Sequence, residues 1–247
     1  MNKLPSWWKY DKPYAIVDCL ESMKKLPSNC VDLILTDPPY GIGEASKNHM
    51  SRGKHGFGGN RNQLGPGKDY GSYEWDNTRI RKEYFDEMFR ISKQQVIFGG
   101  NYYIDYLYPG PSWIVWDKDN GQNDFADCEL AWTSHNKAVR KYKWKWHGML
   151  QQDMSNKEER FHATQKPVPL FKWILERYSK VSDIVLDPFL GSGTTIKACN
   201  ITGRTGLGFE INPDYERIII KRLTGNFHDG FEYTGKTIDD TWEDEIE

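Results

Sequence analysis

Asp37-Pro38-Pro39-Tyr40 concentrates more chemistry than any other four residues of this 247-residue chain. A carboxylate, two prolines that fix the backbone and an aromatic ring follow directly on the apolar run Val31-Asp32-Leu33-Ile34-Leu35-Thr36. The run reads as a buried strand that stops abruptly. A carboxylate beside a stiffened carbonyl can hold a donor group in one orientation, and open α/β sheets put their sites at such strand ends.

A second constellation lies far along the chain. The strand-like Asp183-Ile184-Val185-Leu186 runs into Asp187-Pro188-Phe189-Leu190-Gly191-Ser192-Gly193-Thr194-Thr195 and then a helix. Glycines at such a turn let the backbone approach a ligand, and a helix N-terminus offers N–H groups to a carboxylate or phosphate. The next strand, 205–209, ends in Glu210, a carboxylate that can accept from both hydroxyls of a ribose or, alternatively, cap the following helix. Neither the dinucleotide pattern Gly-x-Gly-x-x-Gly nor the P-loop Gly-Lys-Ser/Thr is present, so a nucleoside with a carboxylate end suits this turn better than a pyrophosphate.

Elements that must position these residues can be read in order. Tyr14-Ala15-Ile16-Val17 is a short strand closing on Asp18-Cys19, with a brief helix over 20–26 before the first constellation's strand. Apolar spacing predicts a helix over 80–91, and Gln95-Val96-Ile97-Phe98 predicts a strand into Gly99-Gly100. Strands over 112–116 and 129–133 have little helix between them and should form a terminal antiparallel hairpin. A helix over 170–178, a stop at Gly203, and Asn212-Pro213 as cap and first residue of a last helix through Leu223 complete the set. The expected fold is α/β, with a mostly parallel seven-stranded sheet and helices on both faces.

Lys141-Tyr142-Lys143-Trp144-Lys145-Trp146 alternates cation and aromatic. On a strand it puts lysines on one face, either to blunt a sheet edge or to meet nucleic-acid phosphates. The stretch 41–69 is glycine-rich and basic, either a solvated insertion without a role or, as its place directly after the first constellation favours, a mobile lid or phosphate-contacting flap. The formal net charge of -2 rules out a uniformly basic coat, because an acidic tail over 225–247 offsets the basic patches. Cys19, Cys30, Cys128 and Cys199 have no paired spacing, so neither a metal site nor a disulfide framework is expected. With no apolar run of membrane-spanning length, the expectation is a cytoplasmic protein with no membrane association.

Asp37-Pro38-Pro39-Tyr40 together with Asp187-Pro188-Phe189-Leu190-Gly191-Ser192-Gly193 resembles the catalytic and cofactor signatures of the S-adenosylmethionine-dependent amino-group DNA methyltransferases. Catalytic motif first and cofactor motif last is the order of the β-class. His162-Ala163-Thr164-Gln165-Lys166-Pro167 is similar to the segment before that class's cofactor half, and Gly208-Phe209-Glu210-Ile211-Asn212-Pro213 to its ribose-binding stretch.

The resemblance implies a Rossmann-like fold in circularly permuted methyltransferase order. It implies S-adenosyl-L-methionine as cofactor, duplex DNA as partner, and transfer to adenine N6 by base flipping, with cytosine N4 or a catalytically silent DNA-binding subunit as alternatives. Asp37, Pro38, Pro39 and Tyr40 would be catalytic. Phe189 and the backbone around Gly191, Ser192, Gly193, Thr194 and Thr195 would hold the methionine end, and Asp37, Lys166, Asp187 and Pro188 would be further cofactor contacts. Glu210 and Ile211 would meet the ribose, and Asp18 with Cys19 the adenine edge. One domain is expected: a catalytic half over 14–133, a target-recognition segment over 134–161 and a cofactor half over 162–224. That recognition segment is short, so the target site is small, or the 41–69 loop shares the work, or a second subunit of a homodimer supplies contacts.

Overall fold

The computed structural model describes residues 4–42, 78–120, 126–147, 150–161 and 164–224. Residues 43–69 of the basic loop, the acidic tail and His162-Ala163 lie outside them. In chain order the elements are β1 (Tyr14–Ile16), α1 (Cys19–Lys24), β2 (Val31–Thr36), α2 (Lys82–Ile91), β3 (Ser92–Phe98), β4 (Trp113–Asp117), β5 (Cys128–Thr133) and β6 (Arg140–Lys143). There follow β7 (Trp146–His147), β8 (Leu150–Gln151), α3 (Val168–Tyr178), β9 (Ile184–Asp187), α4 (Thr194–Thr202), β10 (Thr205–Glu210) and α5 (Glu216–Thr224).

The main sheet runs β1-β10-β9-β2-β3-β5-β4-β6, and β7 with β8 forms a separate small ladder. Its first five strands are mutually parallel. Then β5 pairs antiparallel with both β3 and β4, the expected hairpin arrangement. Among the described residues eight strands rather than seven make the sheet. The added one, β6, pairs parallel with β4 at the edge, from Ile114↔Arg140 to Asp117↔Lys143. An edge strand needs one hydrogen-bonded neighbour and one covered face, and Arg140-Lys141-Tyr142-Lys143 has too little apolar content to announce itself as more.

Both faces of the sheet are covered, because successive strand residues point to opposite sides. Ile34, Ile97, Leu186 and Leu207 pack with Met23 of α1 and Phe85 and Met88 of α2. On the other face Leu33, Leu35, Val96, Phe98 and Val185 pack with Phe171 and Ile174 of α3 and Ala198 and Cys199 of α4. Helix α5 closes a third cluster with Tyr14, Leu190 and Ile196 through Ile219 and Leu223. Asn212 caps as expected, accepting from the Asp214 N–H at 3.0 Å, but the first turn is 3-10 before α5 begins. Among the described residues no helix is long and apolar enough to cross a membrane.

The lysines of β6 and its extension are paired. Lys141 meets Asp117 at 3.3 Å, while Lys143 and Lys145 meet Asp119 at 2.8 and 3.2 Å. Tyr142 packs on Trp173 of α3. This is the edge-strand reading of the alternating stretch, with its charge largely neutralised by the neighbouring strand's end.

Candidate functional site

Parallel strands deliver their carboxyl ends to one edge, so the order β1-β10-β9-β2 lines up Asp18, Glu210, Asp187 and Asp37 from distant parts of the chain. Ile16 is in register with Glu210, Gly208 with Asp187, and Ile34 with Leu186. The two constellations read from the sequence are therefore neighbours. Asp187 ties them together: its carboxylate accepts from Thr36 Oγ1 at 2.6 Å, Thr195 Oγ1 at 2.5 Å and the Phe189 N–H at 3.1 Å. Burial pushes its pKa up to about 6, and the three donors limit that rise.

At the end of β2, Asp37 accepts through one oxygen from the Tyr40 hydroxyl and through the other from Lys166 Nζ. Burial raises the Asp37 pKa, the Lys166 ammonium opposes the rise, and the charge of Glu129 adds to it. Burial also raises Tyr40 well above the usual phenol, as does the charge of Asp37, so Tyr40 stays a donor. Pro38 is buried, and the Pro39 carbonyl accepts from the Tyr103 hydroxyl. The Tyr40 ring stacks on Tyr102 with centroids 5.0 Å apart at 19°.

That ring lies against Gly99, which has φ +65°. A Cβ there would meet Tyr40 Cε1 at 2.0 Å. Gly99→Ala combines a left-handed backbone with this overlap and should cost about 2 kcal/mol of stability in urea unfolding, along with at least ~10-fold in activity as the ring is displaced.

The glycine turn is built from within. Gly191 and Gly193 adopt φ of +54° and +83°, conformations that a glycine takes without strain. Ser192, Thr194 and Thr195 are buried, their hydroxyls committed to the fold. Buried Arg222 of α5 donates to Ser192 O at 3.0 Å, Ser192 Oγ at 2.5 Å and Thr194 Oγ1 at 2.8 Å, and pairs with Glu158. Thr194 Oγ1 in turn donates to Lys166 O at 3.3 Å. Glu210 accepts from the N–H groups of Gly191 and Asn212, each at 2.8 Å, and burial raises its pKa against those two bonds. Half-buried Phe189 lies 5.9 Å from Tyr84 of α2, and Pro188 is buried beside it.

The remaining expected residues divide. Asp18 is exposed and caps α1, accepting from the Glu21 N–H at 3.0 Å, while Cys19 is buried with its thiol pushed up to about 12 by burial and then by Asp18. Ile211 is 67% exposed immediately after Glu210. Lys166, read from sequence as a cofactor contact, is buried with its ammonium between two carboxylates, Asp37 and Glu129, the latter at 3.0 Å. Burial alone would lower its pKa, but the two carboxylates outweigh it and hold the ammonium charged. Glu129 is itself opposed by burial but pulled down to about 2 by Lys166 and Lys118, the latter 2.5 Å away.

Neither Glu129 nor Lys118 is visible as a site residue in the sequence, and neither is the Arg222–Glu158 pair. Arg222 does leave a trace. It falls three residues after Ile219 and beside Leu223, on the helix stripe that faces the core.

Residues 112–221 match the N6/N4 methyltransferase family model, described as DNA methylase. Over 267 residues the chain is 30% identical to the type II methyltransferase M.HpaI of Haemophilus parainfluenzae, with 90% of this chain and 77% of that protein covered. The chain belongs to the N6/N4 DNA methyltransferase family. This methyltransferase is also 28% identical over 244 residues to the DNA adenine methyltransferase YhdJ of Escherichia coli (strain K12), covering 83% of this chain and 80% of that one. The crystal structure of the M1.HpyAVI–SAM complex superposes with a TM-score of 0.51 at 25% identity, covering 85% of this methyltransferase and 98% of that chain.

Proposed function

We propose that the chain transfers a methyl group from S-adenosylmethionine to the exocyclic N6 of adenine in duplex DNA. The observation that carries this is the meeting of Asp37 and Asp187 at adjacent strand ends, joined through Thr36, which sets the tetrapeptide beside the glycine turn. M1.HpyAVI, whose structure contains SAM, shares the fold over most of this chain. Adenine is favoured by Asp, not Ser, in the first position of the tetrapeptide and by the likeness to an enzyme named for adenine.

The residues present suit the cofactor. Two left-handed glycines open the turn, Glu210 stands at its rim accepting from the Gly191 and Asn212 N–H groups, and Ile211 is exposed alongside. Gly191 to Thr195 and Phe189 would hold the methionine end, Glu210 the ribose hydroxyls, and Asp18 with Cys19 the adenine edge. When bound, S-adenosylmethionine supplies an electrophilic methyl on a sulfonium.

An exocyclic amine is a weak nucleophile because its lone pair is delocalised into the ring. Asp37 and the Pro38 carbonyl each accept one N–H, which draws the nitrogen toward tetrahedral geometry and frees the lone pair. A C–N bond forms as the S–C bond breaks, and the cationic nitrogen then sheds one proton to water. Tyr40 offers a π face for a base rotated out of the duplex.

Comparing duplex DNA, RNA and protein as acceptors of labelled methyl tests the reading: label should enter DNA, and preferential entry into RNA or protein would overturn it. Glu210→Ala should weaken cofactor binding by about 30-fold, the worth of hydrogen bonds to a charged group. Titration calorimetry would show this, with the transfer rate at saturating cofactor changed less than about threefold.

A further inference from the structure

Lys118, Glu129, Lys166 and Asp37 form a ladder of alternating charge that ends on the tetrapeptide. Lys118 Nζ stands 2.5 Å from Glu129 Oε1, Glu129 Oε2 stands 3.0 Å from Lys166 Nζ, and Lys166 donates to Asp37 Oδ2. The antiparallel sense of β5 explains how Glu129 arrives here. Its beginning lies at the edge where the parallel strands end, while Lys118 follows the end of β4.

Two facts set Glu129 apart from an ordinary partner. Its Oε2 is buried and lies within ion-pair distance of Lys166, yet makes no aligned hydrogen bond. Lys166 meanwhile spends a hydrogen bond on the oxygen that an incoming amine must use, and Tyr40 holds the other oxygen of Asp37. A buried ammonium cannot simply release its partner, because an uncompensated charge in the interior costs several kcal/mol.

We infer that Glu129 is a positioning residue: it is the standby acceptor for Lys166, taking over the ammonium's hydrogen bond so that Asp37 can receive the amine of the target base. Resting on the proposed function, this adds a residue that touches neither base nor cofactor. Lys166 turns from Asp37 Oδ2 toward Glu129 Oε2 without leaving an anion, and Lys118 keeps Glu129 ionised for that role. Glu129→Gln removes the standby charge, so Lys166 stays clamped on Asp37.

The test measures single-turnover methyl transfer to unmethylated duplex DNA, together with cofactor affinity and thermal unfolding of the same proteins. Glu129→Gln is expected to lose about 50-fold in transfer rate, the worth of a charged hydrogen bond, with cofactor affinity within about threefold of wild type. Glu129→Asp, which keeps the charge, should recover most of that loss. In a Lys166→Met background, Glu129→Gln should cost no more than about twofold further, since it acts only through the ammonium.

A Glu129→Gln variant as fast as wild type, or a Glu129→Asp variant no faster than Glu129→Gln, would overturn the inference. So would a rate loss matched by equal losses of cofactor affinity and unfolding midpoint, the mark of a merely structural role. A wild-type chain that transfers no label to DNA overturns the proposed function and this inference together, whereas failure in the variants alone leaves the proposed function standing.

Discussion

Asp37→Ala is expected to lower methyl transfer by at least ~10³-fold while leaving cofactor affinity within about threefold. The carboxylate is the acceptor at the end of β2, and among the described residues its two side-chain partners, Tyr40 and Lys166, both point donors at it. In the proposed mechanism its removal strips the amine of one of two acceptors, and it leaves Lys166 paired with Glu129 alone. The glycine turn does not depend on Asp37, since Gly191 is held by Glu210, and Ser192 and Thr194 by Arg222. Asp37→Asn should recover part of the loss, because an amide oxygen still accepts while the charge that pairs with Lys166 is gone. Single-turnover transfer beside equilibrium cofactor titration separates the two effects, and unchanged transfer in the alanine variant would sink the role given to Asp37.

Arg222→Met should be the most destabilising substitution at the glycine turn, costing about 3–5 kcal/mol in chemical unfolding. The guanidinium is buried, and burial lowers its pKa while Glu158 opposes that shift. Through one nitrogen it holds the carbonyl and hydroxyl of Ser192 and the hydroxyl of Thr194, and through another it meets Glu158. Glu158 also accepts from the Val168 N–H at 3.0 Å, which ties the segment before α3 to the turn. Methionine fills comparable space but leaves the Glu158 carboxylate without its cation. The double variant Arg222→Met with Glu158→Gln should therefore regain about half the loss, because the stranded charge is removed. An Arg222→Met protein as stable as wild type would show that the pair does not brace the turn.

What the sequence made legible is local: short β-branched runs that stop at Asp18, Asp37, Asp187 and Glu210. Each such end is set by a few neighbouring residues, and parallel pairing then gathers all four on one edge. Glu129 escaped because its meaning depends on strand direction. In Cys128-Glu129-Leu130-Ala131-Trp132-Thr133 a glutamate reads as a solvated position, and only the antiparallel pairing with β3 and β4 turns it toward Lys166. Arg222 stands in the last turn of α5, where a cation is ordinarily a solvated partner of the helix dipole, but its place between Ile219 and Leu223 puts it on the buried stripe. The eighth strand stayed open between an edge strand and a nucleic-acid contact for the opposite reason. Its residues are polar, and only pairing with β4 makes them a strand.

The most direct measurement is nucleoside analysis of unmethylated duplex DNA after incubation with the wild-type chain and S-adenosylmethionine carrying a labelled methyl group. Asp37 beside the glycine turn predicts label in N6-methyladenine; label in N4-methylcytosine, or none in the DNA, would contradict it.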